Sequence, residues 1–209
     1  MVKAIISDMG QVVLWFDNRL FYRRLSAASG RSEEEIREAV RDHFELVELL
    51  DTGRITPQEF YAEIISATQA KLDYQDFFTA YVDVFTPNWP AINILRRARG
   101  SCRLVLLSNT DIVRFQYIQQ RFPETMVFDS LVLSFEVGLM KPHPQIYQVA
   151  LKAAGTAAEE TVFIDDLEEN VRTAASLGMA TILYRPETNL EEALLSLGVN
   201  LLPSEGRSN

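Results

Sequence analysis

The stretch Lys3-Ala4-Ile5-Ile6-Ser7-Asp8-Met9-Gly10-Gln11-Val12-Val13 constrains this chain most, because an apolar run there delivers a carboxylate into a glycine-containing turn. Val2, Ala4, Ile5 and Ile6 have the length and β-branching of a short buried strand. In an open α/β sheet, ligands bind just beyond the carboxyl ends of such strands. Asp8 is therefore expected at a strand tip, in position for chemistry. On its own it reads equally well as a strand-ending turn residue, since Asp and Gly both favour turns.

Three later segments repeat the pattern of an apolar run ending in polar groups: Leu104 to Asp111, Gly138 to Pro142, and Thr161 to Asp166. Asp165 and Asp166 cannot both enter an apolar core, because adjacent unpaired buried carboxylates are costly to ionise. A cation is expected beside them. Hard oxygen donors suit Mg²⁺, which takes one or two carboxylates plus water and phosphate oxygens. Asp8 with Asp165 or Asp166 supplies such a set; the alternative is that the pair only caps the next helix. Ser108 and Asn109 bring a hydroxyl, an amide and backbone N–H groups to a helix start where an oxyanion can bind. Lys141, between Met140 and Pro142 in a loop, would offset the carboxylates and bind phosphate as a point donor.

Between the first strand and about residue 101 no β-like run occurs. Asn18 to Ala28, Ile36 to Leu50, the segment after Thr56-Pro57-Gln58-Glu59, and Asp73 to Phe85 all read as helices. Ser32 to Glu35 and Thr56 to Glu59 are capping-box patterns. These residues form an all-helical insertion, with hinges at Leu14-Trp15-Phe16-Asp17 and Thr86-Pro87-Asn88-Trp89-Pro90. The expected division is a discontinuous core at 1–16 and 87–209 and a helical unit at 17–86. From Ala91 helices and strands alternate, with strands expected at Arg103 to Leu107, Met126 to Leu133, Thr161 to Ile164 and Ala180 to Leu183. That is the rhythm of a Rossmann-like parallel sheet with helices on both faces. Pro203 to Asn209 reads as a frayed tail.

A formal charge of -9 and the lack of a basic run argue against a nucleic-acid partner. Cys102 is the single cysteine, so no internal disulfide forms and a reducing compartment fits. No signal-peptide pattern and no membrane-length apolar run is present. A cytoplasmic protein is expected, with a monomer favoured and no membrane partner.

Asp8-Met9-Gly10-Gln11-Val12-Val13, Leu107-Ser108-Asn109, Gly138-Leu139-Met140-Lys141-Pro142 and Phe163-Ile164-Asp165-Asp166, in that order, resemble the motifs of the haloacid dehalogenase superfamily of phosphohydrolases. The resemblance covers essentially the whole chain. It implies that Asp8 is a nucleophile forming an aspartyl-phosphate and that Ser108 and Lys141 hold the phosphoryl group, with Gly10 and Asn109 also contacting substrate. It also implies that Asp8, Gly10, Asp165 and Asp166 hold Mg²⁺ and that the helical insertion is a cap over a small phosphorylated substrate. One departure stands out. The place two after the nucleophile, where most phosphatases of the family carry a general acid, is Gly10. Losing such a group costs about 10² to 10⁴ in rate. A glycine there is similar to a bacterial sugar-phosphatase subgroup that includes α-glucose-1-phosphate phosphatase-like proteins, so a sugar phosphate is among the expected substrates. A carboxylate placed at position 10 is expected to restore acid help, most of all for simple alkyl phosphates.

Two rival functions remain at this point. A 2-haloacid dehalogenase would use the same nucleophile on carbon without metal, against which the Asp165-Asp166 pair argues. A phospho-ligand-binding regulatory relative would have lost turnover with its acid. His43 and His143 read as a cap-helix residue and a loop residue, since two histidines so far apart make no zinc motif.

Overall fold

The structure, a computed structural model, describes residues 1–203. The tail expected from Pro203 onward lies outside the described residues except for Pro203 itself. A parallel five-stranded sheet in the order β5-β4-β1-β6-β7 forms the base. Its strands are β1 (Ala4–Ser7), β4 (Arg103–Ser108), β5 (Ser130–Leu133), β6 (Thr161–Asp165) and β7 (Ala180–Leu183). The chain runs outward from β1 through β4 to β5, then returns to lay β6 on the other side of β1. The crevice between β1 and β6 is thus the topological switch point, where open α/β sheets bind ligands.

Central strands of such a sheet are covered on both faces, which is why they read as unbroken apolar runs. Ile5, Leu104, Leu106, Val162 and Ile164 face one way, against helices α6 (Trp89–Ala98), α7 (Ile112–Arg121) and α11 (Leu190–Ser196). Ala4, Ile6, Val105, Leu107 and Phe163 face the other way, against α9 (Pro144–Ala154) and α10 (Glu168–Ser176). Strand alternation therefore sorts one apolar run into two cores.

The insertion holds five helices: α1 (Arg19–Ser29), α2 (Glu33–Arg41), α3 (Phe44–Asp51), α4 (Pro57–Thr68) and α5 (Tyr74–Val82). They enclose a separate core built on Phe21, Leu25, Ile36, Phe60, Ile64, Phe77 and Tyr81. Both expected capping boxes form, at Ser32/Glu35 and Thr56/Glu59. Phe21, Phe60 and Phe77 pack edge to face, an arrangement favoured by the ring quadrupoles.

Several expected boundaries move. Ile36 to Leu50 is two helices, because the chain leaves helical geometry at His43, whose Nδ1 bonds the Ala39 carbonyl and which starts α3. The fifth helix stops at Val82, and Phe85 instead enters a strand, β3 (Phe85–Pro87). β3 pairs antiparallel with β2 (Leu14–Phe16), so the two expected hinges are one hydrogen-bonded ribbon. The expected strand at Met126 to Leu133 is ordered as β5 only from Ser130, after a 3₁₀ turn at Pro123–Thr125. The Gly138 to Pro142 segment is a loop following a single helical turn, α8 (Ser134–Val137). No helix among the described residues is long and apolar enough to cross a membrane.

Candidate active site

Parallel pairing sets Ser7 beside Leu106 on one side and Ile164 on the other, and the Asp8 N–H donates to the Ile164 carbonyl at 2.8 Å. This register brings the ends of β1, β4 and β6 level. Asp8, Ser108 and Asp165 follow from it, all of them buried. The sequence reading placed Asp8 on an open surface, but its side chain is nearly enclosed, because the cap ribbon and the Lys141 loop close over the strand tips.

Lys141 reaches the same point from the loop before α9. Its Nζ lies 2.7 Å from Asp8 Oδ1 and 2.6 Å from Asp165 Oδ2. Burial works against its charge, yet the two carboxylates more than compensate and raise its pKa. Asn109 fixes the loop that carries it. The Lys141 N–H donates to Asn109 Oδ1 at 2.8 Å, and Asn109 Nδ2 donates to the Lys141 carbonyl at 2.9 Å. The Asn109 amide, expected at the substrate, is thus committed to holding the lysine.

Asp165 is engaged at both oxygens. Oδ2 takes Lys141, while Oδ1 accepts from the Leu167 N–H at 2.8 Å and from Asn170 Nδ2 at 2.9 Å. Asp166 is half-buried, and Arg185 donates to its backbone carbonyl. Asn170 and Arg185 are site residues that the sequence reading missed. Asn170 carried a signal, since it falls on the first turn of α10 at a spacing that returns it to the strand end. Arg185 lies after β7, and no local pattern marks it.

Carboxylate oxygens of Asp8, Asp165 and Asp166 lie within 4.8 Å of one another. Burial pushes Asp8 up to about 7; Lys141 pulls it down, while Asp165 and Asp166 raise it further. Burial and Asp165 likewise raise Asp166. One ammonium faces three carboxylates, so the protein alone leaves them short of positive charge. A hard divalent cation fits this set: three convergent oxygen donors, no sulfur or imidazole, and a buried Asn170 Oδ1 left without a partner beside Asp165.

Gly10 follows in the turn after Asp8. A Cβ built there would lie 3.0 Å from Phe16 Cε1 and 3.8 Å from Asp8 Oδ2. A carboxylate at position 10 therefore meets the Phe16 ring, so the expected rescue by that single change does not fit the structure. Above the site, a cavity of about 600 Å³ lies between α3 and the Lys141 loop, lined by Glu48, Thr52, Arg54, Leu139 and His143 among others. His143 also starts α9, accepting from the Gln145 N–H.

The family profile of the haloacid dehalogenase-like hydrolases matches residues 2–178. The chain belongs to this family. It is accordingly a hydrolase, of the phosphatase kind represented among its relatives. It is 23% identical to D-ribitol-5-phosphate phosphatase of Bacteroides thetaiotaomicron over 91% of its own length and 95% of the relative's. Drimenol cyclase drtB of Aspergillus calidoustus is 26% identical over 94% of the chain, but the chain spans only 37% of that protein. Among solved structures, a HAD family enzyme from B. thetaiotaomicron superposes with a TM-score of 0.83 at 23% identity, covering 92% of this chain and 98% of the other. The same enzyme has been crystallised with magnesium and inorganic phosphate. A HAD-like hydrolase from Porphyromonas gingivalis gives a TM-score of 0.81 at 27% identity, covering 96% and 99%.

Proposed function

We propose that this hydrolase is a Mg²⁺-dependent phosphatase of small phosphorylated metabolites that works through an aspartyl-phosphate on Asp8. The observation that supports it most is the asymmetry of Asp8. Lys141 holds Oδ1 at 2.7 Å, which leaves Oδ2 free to attack phosphorus. The new bond joins Oδ2 to phosphorus as the bond to the leaving oxygen breaks and its electron pair departs with that oxygen. Water then attacks the phosphorus, and the acyl phosphate breaks to return Asp8 and inorganic phosphate.

Lys141 and Ser108 bind the non-bridging phosphoryl oxygens as charge builds on them, where a fixed donor in a water-poor site is worth most. Asn109 and Asp165 hold Lys141 in place for this. Asp8, Asp166 and the Gly10 carbonyl would hold Mg²⁺, with Asp165 completing the charge around it. When bound, the ion neutralises phosphoryl oxygens and favours the ionised form of Asp8. Residues 17–86 act as the cap, hinged at the β2–β3 ribbon, and the cavity beside α3 is in the size range of a small-metabolite site. Sugar or polyol phosphates fit both the cavity and the D-ribitol-5-phosphate phosphatase relative.

The test is release of inorganic phosphate by purified protein from a set of phosphorylated sugars, polyols and nucleotides, with Mg²⁺ and with EDTA. Metal-dependent release from at least one small phosphate ester supports the proposal. Tight binding of the esters with no release would instead favour a regulatory protein.

A further inference from the structure

Two features of the turn after Asp8 remain unexplained by the mechanism: a glycine that its backbone does not require, and an aromatic ring beside the nucleophile. Gly10 is not among the residues with left-handed backbone geometry, so any L-residue can adopt its conformation. What excludes a side chain is the Phe16 ring, at 3.0 Å and 3.7 Å from the ideal Cβ through Cε1 and Cδ1. The same Cβ is 3.8 Å from Asp8 Oδ2, so a side chain at position 10 would project toward the carboxylate oxygen that Lys141 leaves free. The Phe16 ring stands in that direction.

The ring is held firmly. Phe16 pairs with Phe85 in the hinge ribbon, and the two rings meet edge to face at 6.1 Å. Gln11 takes a left-handed φ of 54°, a conformation that costs a non-glycine residue about 1 kcal/mol or more. It survives because the Gln11 N–H donates to the Leu14 carbonyl at 2.7 Å and its side-chain amide donates to the Phe16 carbonyl at 3.1 Å. The nearby carboxylate Asp17 offers no substitute proton. Arg19 Nε and Nη2 each donate to it at 2.8 Å, and these bonds hold its pKa below the usual range, so it stays ionised.

We propose that Phe16, positioned by Gln11 and Phe85, is a specificity-determining residue: an apolar wall where the leaving group departs, which makes the enzyme selective for phosphates whose leaving oxygen needs no proton. The inference rests on the phosphatase mechanism above and names its substrate class. As the phosphorus–oxygen bond breaks, the electron pair stays on the leaving oxygen, and solvent protonates that oxygen only after departure. Acyl, enol and anomeric phosphates tolerate this, whereas simple alkyl phosphates do not.

The experiment compares wild type with Phe16→Ala, Gly10→Asp and the double variant, using acetyl phosphate, glucose 1-phosphate and glycerol 3-phosphate as probes at saturating Mg²⁺. Phe16→Leu, which keeps an apolar side chain in the ribbon, replaces Phe16→Ala if that variant does not fold. Wild type is expected to prefer the first two probes. Gly10→Asp alone should gain nothing on glycerol 3-phosphate, while the double variant should exceed it about tenfold, or roughly 1.4 kcal/mol of barrier. It should also acquire an alkaline limb in its pH profile that reports the new acid, which a loss of packing alone would not produce. Equal gain by Gly10→Asp with Phe16 in place, or no leaving-group preference in an active wild type, would overturn the Phe16 role and leave the phosphatase mechanism standing. A wild type that releases phosphate from none of the three probes or from any other ester would overturn both.

Discussion

Both oxygens of Asp165 are already engaged, by Lys141 on one side and by Leu167 and Asn170 on the other, whereas the Asp166 side chain is more open. The two neighbours should therefore respond differently to substitution. Asp166→Asn is expected to shift the Mg²⁺ activation curve to higher concentration in a protein of near-normal stability. Asp165→Asn should lower stability as well, by about 3–5 kcal/mol, because it leaves the buried Lys141 ammonium with one fewer counter-charge; denaturant unfolding of both variants checks this. The motif residues at the strand tips were legible because each sits where an apolar run meets polar groups. Asn109 was found, but its task was not, since only the fold shows its amide clamped to the Lys141 backbone. Asp51 gave no signal. It is buried at the seam between insertion and sheet, its Oδ1 lacks a partner, and burial raises its pKa to about 7, with Arg114 opposing and Asp111 and Glu48 adding. Its folded value lies above the unfolded one, so between about pH 4 and 7 the unfolded state holds fewer protons and stability falls as pH rises. Asp51→Asn should remove this loss: its melting temperature relative to wild type should rise across that window and level off above it. A constant difference at all pH values would show that Asp51 does not titrate there.

The insertion meets the sheet unit through specific polar contacts as well as apolar packing. Tyr81 on α5 donates to Asp111 Oδ2 at 2.9 Å, and the same Asp111 accepts from the Val113 and Arg114 N–H groups to start α7. The Arg114 guanidinium lies 4.1 Å from the centre of the Tyr81 ring. On the other side, the loop after α3 presses its backbone onto the turn before the Lys141 loop. Gly53 has a φ of 67°, and a Cβ there would fall 2.6 Å from the Phe135 carbonyl oxygen, so this position needs glycine for its conformation and for the close approach. Gly53→Ala is expected to push the loop off Phe135 and open the cavity that Arg54 and Thr52 line, raising KM by about tenfold while the apolar cores stay intact. Steady-state kinetics with an unfolding curve separates this from a general loss of stability. The helices were legible from periodicity and capping boxes. The β2–β3 ribbon was not, because three-residue strands carry too little pattern and the pairing joins residues about 70 apart in the chain. The break at His43 was missed for a similar reason: the apolar spacing continues across it.

At the scale of the molecule, one topological fact places the chemistry: the chain returns from β5 to lay β6 beside β1, which sets two acidic strand ends at a switch point under the cap. This layout was legible because the alternation of strands and helices allows few topologies and right-handed crossovers leave fewer. The separation of the two apolar cores was legible for the same reason, since residues 18–85 lack any strand long enough to join the sheet. How the insertion rests on the sheet was not, because it depends on side chains meeting across a seam with no periodic signature. The central claim is that Asp8 is the residue that takes the phosphoryl group. Enzyme mixed with a phosphate ester and Mg²⁺, quenched in acid during turnover and analysed by peptide mass spectrometry, tests it directly. The account predicts the mass of one added phosphoryl group on the peptide that contains Asp8, and its absence, together with turnover, in a folded Asp8→Asn protein. Phosphate release by Asp8→Asn at a rate near that of wild type would contradict it.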